Sequence, residues 1–395
     1  MFSFHLLTFK QKSLLTPLKP QNIKFIKVVR ALLLGHPKGV FAKTLAGDTP
    51  LHSSCLGNAP LQVVQTIVAA NPDCITLTNN KGQLPIHAAL CSSSIPLSVI
   101  NFLIGEHKGT LALPDATGAY PIHVAVQQGV SFAIVQRVLE LAPETALITT
   151  NDGSLPLHVA LEHNANIDVI QTLIKIHPEA LAHARHDGML PIHVGCTHSL
   201  SFPMLDLLLE HDAGNTCKTS TEHESPRTTA GTASITCLHG NTALHYAVLA
   251  KAANNVVERL LIAYPEANSV ANIDGELPIH VAAAQQNTPL SVLTQLTLGH
   301  PAASKTTNRL GQLPLHLALR AKASVHVIKE LLAWNCSGVH VKDERGWTAL
   351  HFACENEAPV AVISLLLEAA FLNDVNNVDN DVTQANNDVN GVDDA

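Results

Sequence analysis

Aromatic residues are scarce in this 395-residue chain, at 4%, and charged residues are few, at 14%. Several absences exclude whole classes of protein. The eight cysteines, Cys55, Cys74, Cys91, Cys196, Cys217, Cys237, Cys336 and Cys354, form no Cys-x-x-Cys pair. They read as buried, reduced thiols of an intracellular protein. No run of 18 apolar residues occurs, so no membrane-spanning helix is expected. The net charge of −8 argues against a nucleic-acid binder, which needs a basic stripe to neutralise phosphates. There is no His-Glu-x-x-His, no Gly-x-Ser-x-Gly, no Gly-x-x-x-x-Gly-Lys-Ser/Thr and no kinase signature set. The reading is a chain that is not an enzyme and carries no cofactor.

What the chain has instead is one stretch repeated nine times. Gly82-Gln-Leu-Pro-Ile-His-Ala-Ala89 returns as Gly118-Ala-Tyr-Pro-Ile-His-Val-Ala125, Gly153-Ser-Leu-Pro-Leu-His-Val-Ala160 and Gly188-Met-Leu-Pro-Ile-His-Val-Gly195. It returns again as Gly275-Glu-Leu-Pro-Ile-His-Val-Ala282 and Gly311-Gln-Leu-Pro-Leu-His-Leu-Ala318. Three copies carry threonine: Gly47-Asp-Thr-Pro-Leu-His52, Gly240-Asn-Thr-Ala-Leu-His245 and Gly346-Trp-Thr-Ala-Leu-His351. The histidines are His52, His87, His123, His158, His193, His245, His280, His316 and His351, spaced by 35 or 36 residues except for one gap of 52. Glycine suits a loop residue at positive φ. Proline suits the first helical position, whose N–H has no intrahelical partner. A second signature, such as Val169-Ile-Gln-Thr-Leu-Ile174, puts apolar residues at i, i+1, i+4 and i+5, one wide face of a helix. His177-Pro178 and Tyr264-Pro265 then stop that helix.

This pattern resembles the ankyrin repeat, a turn followed by two antiparallel helices, over roughly residues 22–372. The resemblance implies an all-α, ankyrin-like helical-repeat solenoid with short β-turn and loop connections. Such a stack grows by addition, so length does not count its domains. Six of the nine repeats have Leu or Tyr where threonine usually stands, which puts the usual Thr–His hydrogen bond in question.

Residues 1–21 are expected to be disordered, and Ile23–Leu34 to be the second helix of a leading half repeat that caps the stack. Residues 1–47 hold eight basic residues and no acid, so an organelle transit peptide is the weaker alternative. Repeats one to five occupy 22–212 with the half repeat. A Ser/Thr-rich insertion spans 213–236, repeats six to nine 237–372, and an acidic, disordered Asn/Asp tail 373–395.

The nine repeat histidines are read as structural. Equivalent positions in packed helices lie about 10 Å apart, too far for one row to share a zinc ion at about 2 Å per ligand. Binding residues are sought where the repeats vary. One set lies at the loop tips: Asn80, Lys81, Asp115, Asp152, Arg185, Asp187, Arg309 and Arg345. The other lies at the exposed end of the first helix: Gln127, Gln128, Glu162, His163, His198, Gln285, Gln286, Arg320 and Lys322. In ankyrin-like stacks both sets line the groove where protein partners dock. The expected function is a monomeric protein-interaction scaffold or adaptor inside the cell, in the cytoplasm or alternatively the nucleus, with no nucleic acid and no membrane span. The alternative is a regulatory or targeting subunit that recruits an enzyme through its insertion or tail.

Overall fold

The computed structural model describes residue 31 and residues 35–92, 94–215 and 232–373. Among these residues the protein is all-α, with no strand. The expected disordered start, most of the leading half-repeat helix and residues 374–395 of the tail lie outside the described residues. The chain divides into two compact units, Met1–Thr145 and Ala146–Ala395. Unit one holds repeats one to three, and unit two holds repeats four to nine.

Unit one shows how a repeat is built. Its first helices are Pro50–Leu56, Pro85–Leu90 and Pro121–Gln127, each opened by its proline. Its second helices, Leu61–Ala70, Leu97–Glu106 and Phe132–Leu141, bury the i, i+1, i+4, i+5 face. Pro72–Thr76 and Lys108–Ala112 then form short 3-10 turns.

Unit two repeats the plan. The first helices are Pro156–Glu162, Pro191–Thr197, Ala243–Leu249, Pro278–Ala283, Pro314–Arg320 and Ala349–Glu355. The second helices are Ile167–Ile176, Phe202–Asn215, Asn254–Ala263, Leu290–Gly299, Val325–Trp334 and a final one over 360–373. Proline ends the second helix and also starts something. His177, Tyr264 and His300 leave the helical region, at φ −138°, −142° and −148°, since a following proline disfavours helical geometry. Pro178, Pro265 and Pro301 then open five-residue 3-10 turns.

Small residues let first helices approach one another. Ala160, Ala247, Ala282, Ala318 and Ala353 are all fully buried. The fifth repeat has Gly195, where a Cβ would lie 3.2 Å from Leu200 Cδ1. The insertion is narrower than 213–236. The helix continues to Asn215, and a turn resumes at Thr232–Ser234, where Thr232 N–H donates to buried Asp212 at 2.6 Å.

One feature at the end of the first helices was not read from sequence. Asn58, Asn164, Ser199, Lys251, Lys322 and Glu357 stand at positive φ, between 50° and 57°. Gly129, at φ 60°, takes the same role in repeat three. A left-handed residue turns the chain into the second helix, and only Gly and, less freely, Asn adopt it without strain. Lys251→Gly should therefore raise unfolding free energy by about 0.5–1 kcal/mol, after allowing for the added entropy of glycine. Asn164→Gly should be close to neutral. Chemical denaturation of the two variants checks the contrast.

Candidate functional site

The turn before each first helix is wired by its histidine. In all nine repeats the backbone N–H three residues earlier donates to the imidazole Nδ1, at 3.0–3.2 Å. An amide N–H can only donate, so Nδ1 carries no proton and the ring is neutral with hydrogen on Nε2. In unit one, His52 Nε2 then donates to Gln83 O at 2.8 Å and His87 Nε2 to Ala119 O at 3.2 Å. In unit two, His158, His193, His245 and His280 donate to Met189 O, Ile235 O, Glu276 O and Thr306 O, at 2.9–3.3 Å. Each of these six rings thus closes its own turn and ties it to the next. His316 differs: its buried Nε2 makes no hydrogen bond of normal geometry, with the Val341 backbone as its nearest acceptor, and its ring stacks on Phe352 at 5.2 Å.

The threonine question resolves simply. Thr49, Thr242 and Thr348 add a hydroxyl contact to Nδ1 at 2.8–2.9 Å. In the six Leu or Tyr repeats the backbone N–H alone holds Nδ1. Burial pushes these histidines down: His158 to about 3, and His193, His245 and His280 to about 4. His52, His87 and His316 are lowered by the same cause. No three His, Cys, Asp or Glu side chains gather as a metal site among the described residues.

The loop tips are tied to each other through backbone. In unit one, Asn80 N–H donates to Ala46 O, and Ala116 N–H to Lys81 O. In unit two, His186, Leu238, Ile273, Arg309 and Glu344 donate to Asp152 O, Asp187 O, His239 O, Asp274 O and Leu310 O, at 2.9–3.2 Å. Close approach demands glycine where the next tip packs against the turn. At Gly275, φ is +73° and a Cβ would sit 2.8 Å from Arg309 N.

Several expected binding residues serve the fold. Asp115 Oδ1 accepts from Thr117 N–H and Ala119 N–H, which shapes its own turn. Asn80 donates its amide to Leu45 O at 3.0 Å, and Gln285 donates to Val248 O at 3.0 Å. Exposed residues are Lys81, Gln127 and Gln128 in unit one, and His163, His198, Gln286, Arg309, Arg320, Lys322 and Arg345 in unit two.

Four others are brought together. Arg185 lies 3.4 Å from Asp152, 3.6 Å from Glu162 and 3.7 Å from Asp187. It occupies the turn position that Asn272, Asn308 and Asp343 fill with side chains bonded to their own turns. Partial burial works against ionisation of Asp152, but hydrogen bonds from Thr150 and Ser154, and then Arg185, hold its carboxyl at about 2. The cluster is three acids on one guanidinium. Sequence reasoning missed an apolar series on neighbouring tips. Leu238 is 70% exposed, Ile273 45% and Leu310 49%. Its signal was available: Leu238 and Ile273 stand where other tips carry Asn80, Asn151 and His186, and Leu310 stands where they carry Lys81, Asp152 and Arg345.

Comparison with known proteins identifies the architecture. Residues 279–379 match the family model for ankyrin repeats in three copies, and residues 233–282 that for ankyrin repeats in many copies. The chain is an ankyrin-repeat protein. The same turn, histidine and helix pair recur in the ankyrin repeats before residue 233. No curated protein matches the chain. Among solved structures, the ankyrin repeat domain of Bcl-3, described as a unique member of the IkappaB protein family, is 21% identical, with a TM-score of 0.47. That match covers 63% of this chain and 98% of the other. Ankyrin repeats are generally protein–protein interaction modules and typically non-catalytic. No helix among the described residues is long and apolar enough to cross a membrane.

Proposed function

We propose that unit two is a non-catalytic scaffold or adaptor that holds a protein partner along the tips and first-helix ends of repeats four to nine. One observation carries this reading: the tips are hydrogen-bonded to each other in fixed register while their side chains face outward. A partner meets residues already ordered, so association need not offset their conformational entropy. Leu238, Ile273 and Leu310 supply apolar anchors on successive tips. Arg309, Arg320, Lys322 and Arg345 supply a cationic rim. The complementary partner carries apolar side chains flanked by carboxylates. Lys81, Gln127 and Gln128 offer unit one a polar surface of the same kind. The unpaired thiols of the described cysteines support a place inside the cell.

The test is capture of partners on the immobilised full chain and on two altered chains. One carries Leu238→Ser, Ile273→Ser and Leu310→Ser. The other carries Arg309→Glu, Arg320→Glu and Arg345→Glu. Partners held by the native chain should be lost from both. If both altered chains keep the same partners, the tips are not the binding surface.

A further inference from the structure

Two rows of side chains run along unit two. The tips are tied to one another in register, and neighbouring first helices pack on one another. Equivalent positions in successive repeats therefore lie about 10 Å apart along each row. Four residues past its histidine, each first helix presents Glu162, Thr197, Leu249, Ala284, Arg320 or Glu355. Leu249 is 56% exposed, and Ala284 is exposed as well. They stand in repeats six and seven, whose tips carry Leu238 and Ile273. Those two repeats are thus apolar on both rows, and Leu310 extends the tip row into repeat eight.

Charge divides the rows into zones on either side of this apolar stretch. In repeats four and five, Asp152, Glu162 and Asp187 outnumber Arg185, the one guanidinium they share. In repeat eight, Arg309, Arg320 and Lys322 are exposed and join no ion pair among the described residues. Between the two zones Lys251 and Asp274 offset each other. In repeat nine Glu344, Glu355 and Glu357 outweigh Lys342 and Arg345, so the net positive zone is repeat eight.

Spacing selects the form of the occupant. A first helix such as Ala243–Leu249 has seven residues, roughly 10 Å of length, and separates the tip row from the row at its far end. A β-strand places same-face side chains about 7 Å apart, which falls out of step with a 10 Å repeat. An α-helix is about 10–12 Å across and advances about 10.5 Å in seven residues. Its positions i and i+7 can meet one row while i+3 or i+4 turn toward the other. Three steps from repeat five to repeat eight make about 30 Å, a helix of about 20 residues.

We propose that this strip binds an amphipathic α-helix of the partner in one charge order. Its apolar stripe lies on Leu238, Ile273, Leu249 and Ala284, its carboxylate end on Arg309, Arg320 and Lys322, and its cationic end on the acids of repeats four and five. This assignment rests on the scaffold reading and adds the form and the order of the partner to it.

The experiment is fluorescence anisotropy of the full chain with dye-labelled synthetic peptides of about 20 residues. The ordered peptide has leucines at heptad spacing, lysines at one end and glutamates at the other. A second peptide interleaves the same lysines and glutamates, and a third carries two central prolines. The ordered peptide should bind at least about tenfold more tightly than either. Arg309→Glu, Arg320→Glu and Lys322→Glu together should weaken it by at least about tenfold, whereas Lys81→Glu in unit one should not. Equal binding of the ordered and interleaved peptides overturns the charge order. Equal binding of the proline peptide overturns the helix in favour of an extended partner. If no peptide binds a chain whose captured partners are lost on changing Leu238, Ile273 and Leu310, the helix falls and the scaffold reading stands.

Discussion

Lowering the pH from 7 to 5 should unfold unit two cooperatively, at a pH where its carboxylates are still ionised. Four histidines there, His158, His193, His245 and His280, have folded-state values of about 3 to 4, below the ordinary 6.5. The cause is burial of a ring whose Nδ1 must stay unprotonated to accept a backbone N–H. Between pH 6.5 and 4 the unfolded chain binds more protons than the folded one, so stability rises with pH across that window. The stabilisation is complete above 6.5 and is lost as pH falls. Each histidine should cost about 2 kcal/mol between pH 7 and 5, or roughly 7 kcal/mol for four, comparable to the whole stability of a domain. Asp152, held at about 2, contributes nothing to this window. Denaturant midpoints measured by circular dichroism at several pH values test it. A midpoint unchanged between pH 7 and 5 would contradict the neutral-ring assignment.

Replacing a repeat histidine should cost far more than replacing its threonine neighbour. His280→Leu leaves Leu277 N–H and Thr306 O without their partner; His280 is fully buried and Leu277 is 4% exposed. Each group left unpaired costs about 1–3 kcal/mol, so a loss of about 4 kcal/mol is expected. Thr242→Val removes only the hydroxyl contact to His245, while the Thr242 N–H continues to hold Nδ1. Six repeats already lack that hydroxyl and keep the ring in place, so the cost should be about 1 kcal/mol. Urea unfolding of both variants decides the matter. Equal losses would mean that the threonine, not the backbone wiring, holds the turn.

Much of the fold was legible because its causes are local. Gly275, Leu277-Pro278 and His280 each need one backbone conformation, and that conformation repeats with the sequence. The 3-10 turn after Pro178 was less legible, since proline ends one helix without dictating the conformation of the residues beyond it. The left-handed Lys251 and Glu357 were hidden because the residues carry no glycine signal. Their conformation is imposed by packing of the two helices they join. The extra residue of repeats two and seven falls between their helices: Leu97 follows His87 by ten residues and Leu290 follows His280 by ten, against nine elsewhere.

The surface was read less well than the core. Variation between repeats picked out Arg309, Arg320 and Arg345, which are exposed, but also Asp115 and Gln285, which bond within the fold. Variation alone cannot separate a side chain facing solvent from one bonded to its own turn. Seeking polar residues also passed over Leu238, Ile273 and Leu310, whose exposure is the more unusual observation on a solvent-facing surface.

The central claim is that the tips are ordered before any partner arrives, and amide hydrogen exchange of the free protein tests it most directly. Leu238, Ile273, Arg309 and Glu344 donate their amides to neighbouring tips and should exchange slowly, as the helix amides beside them do. Exchange at these four positions near the rate of an unstructured chain would show that binding must order the tips, and the account would fail.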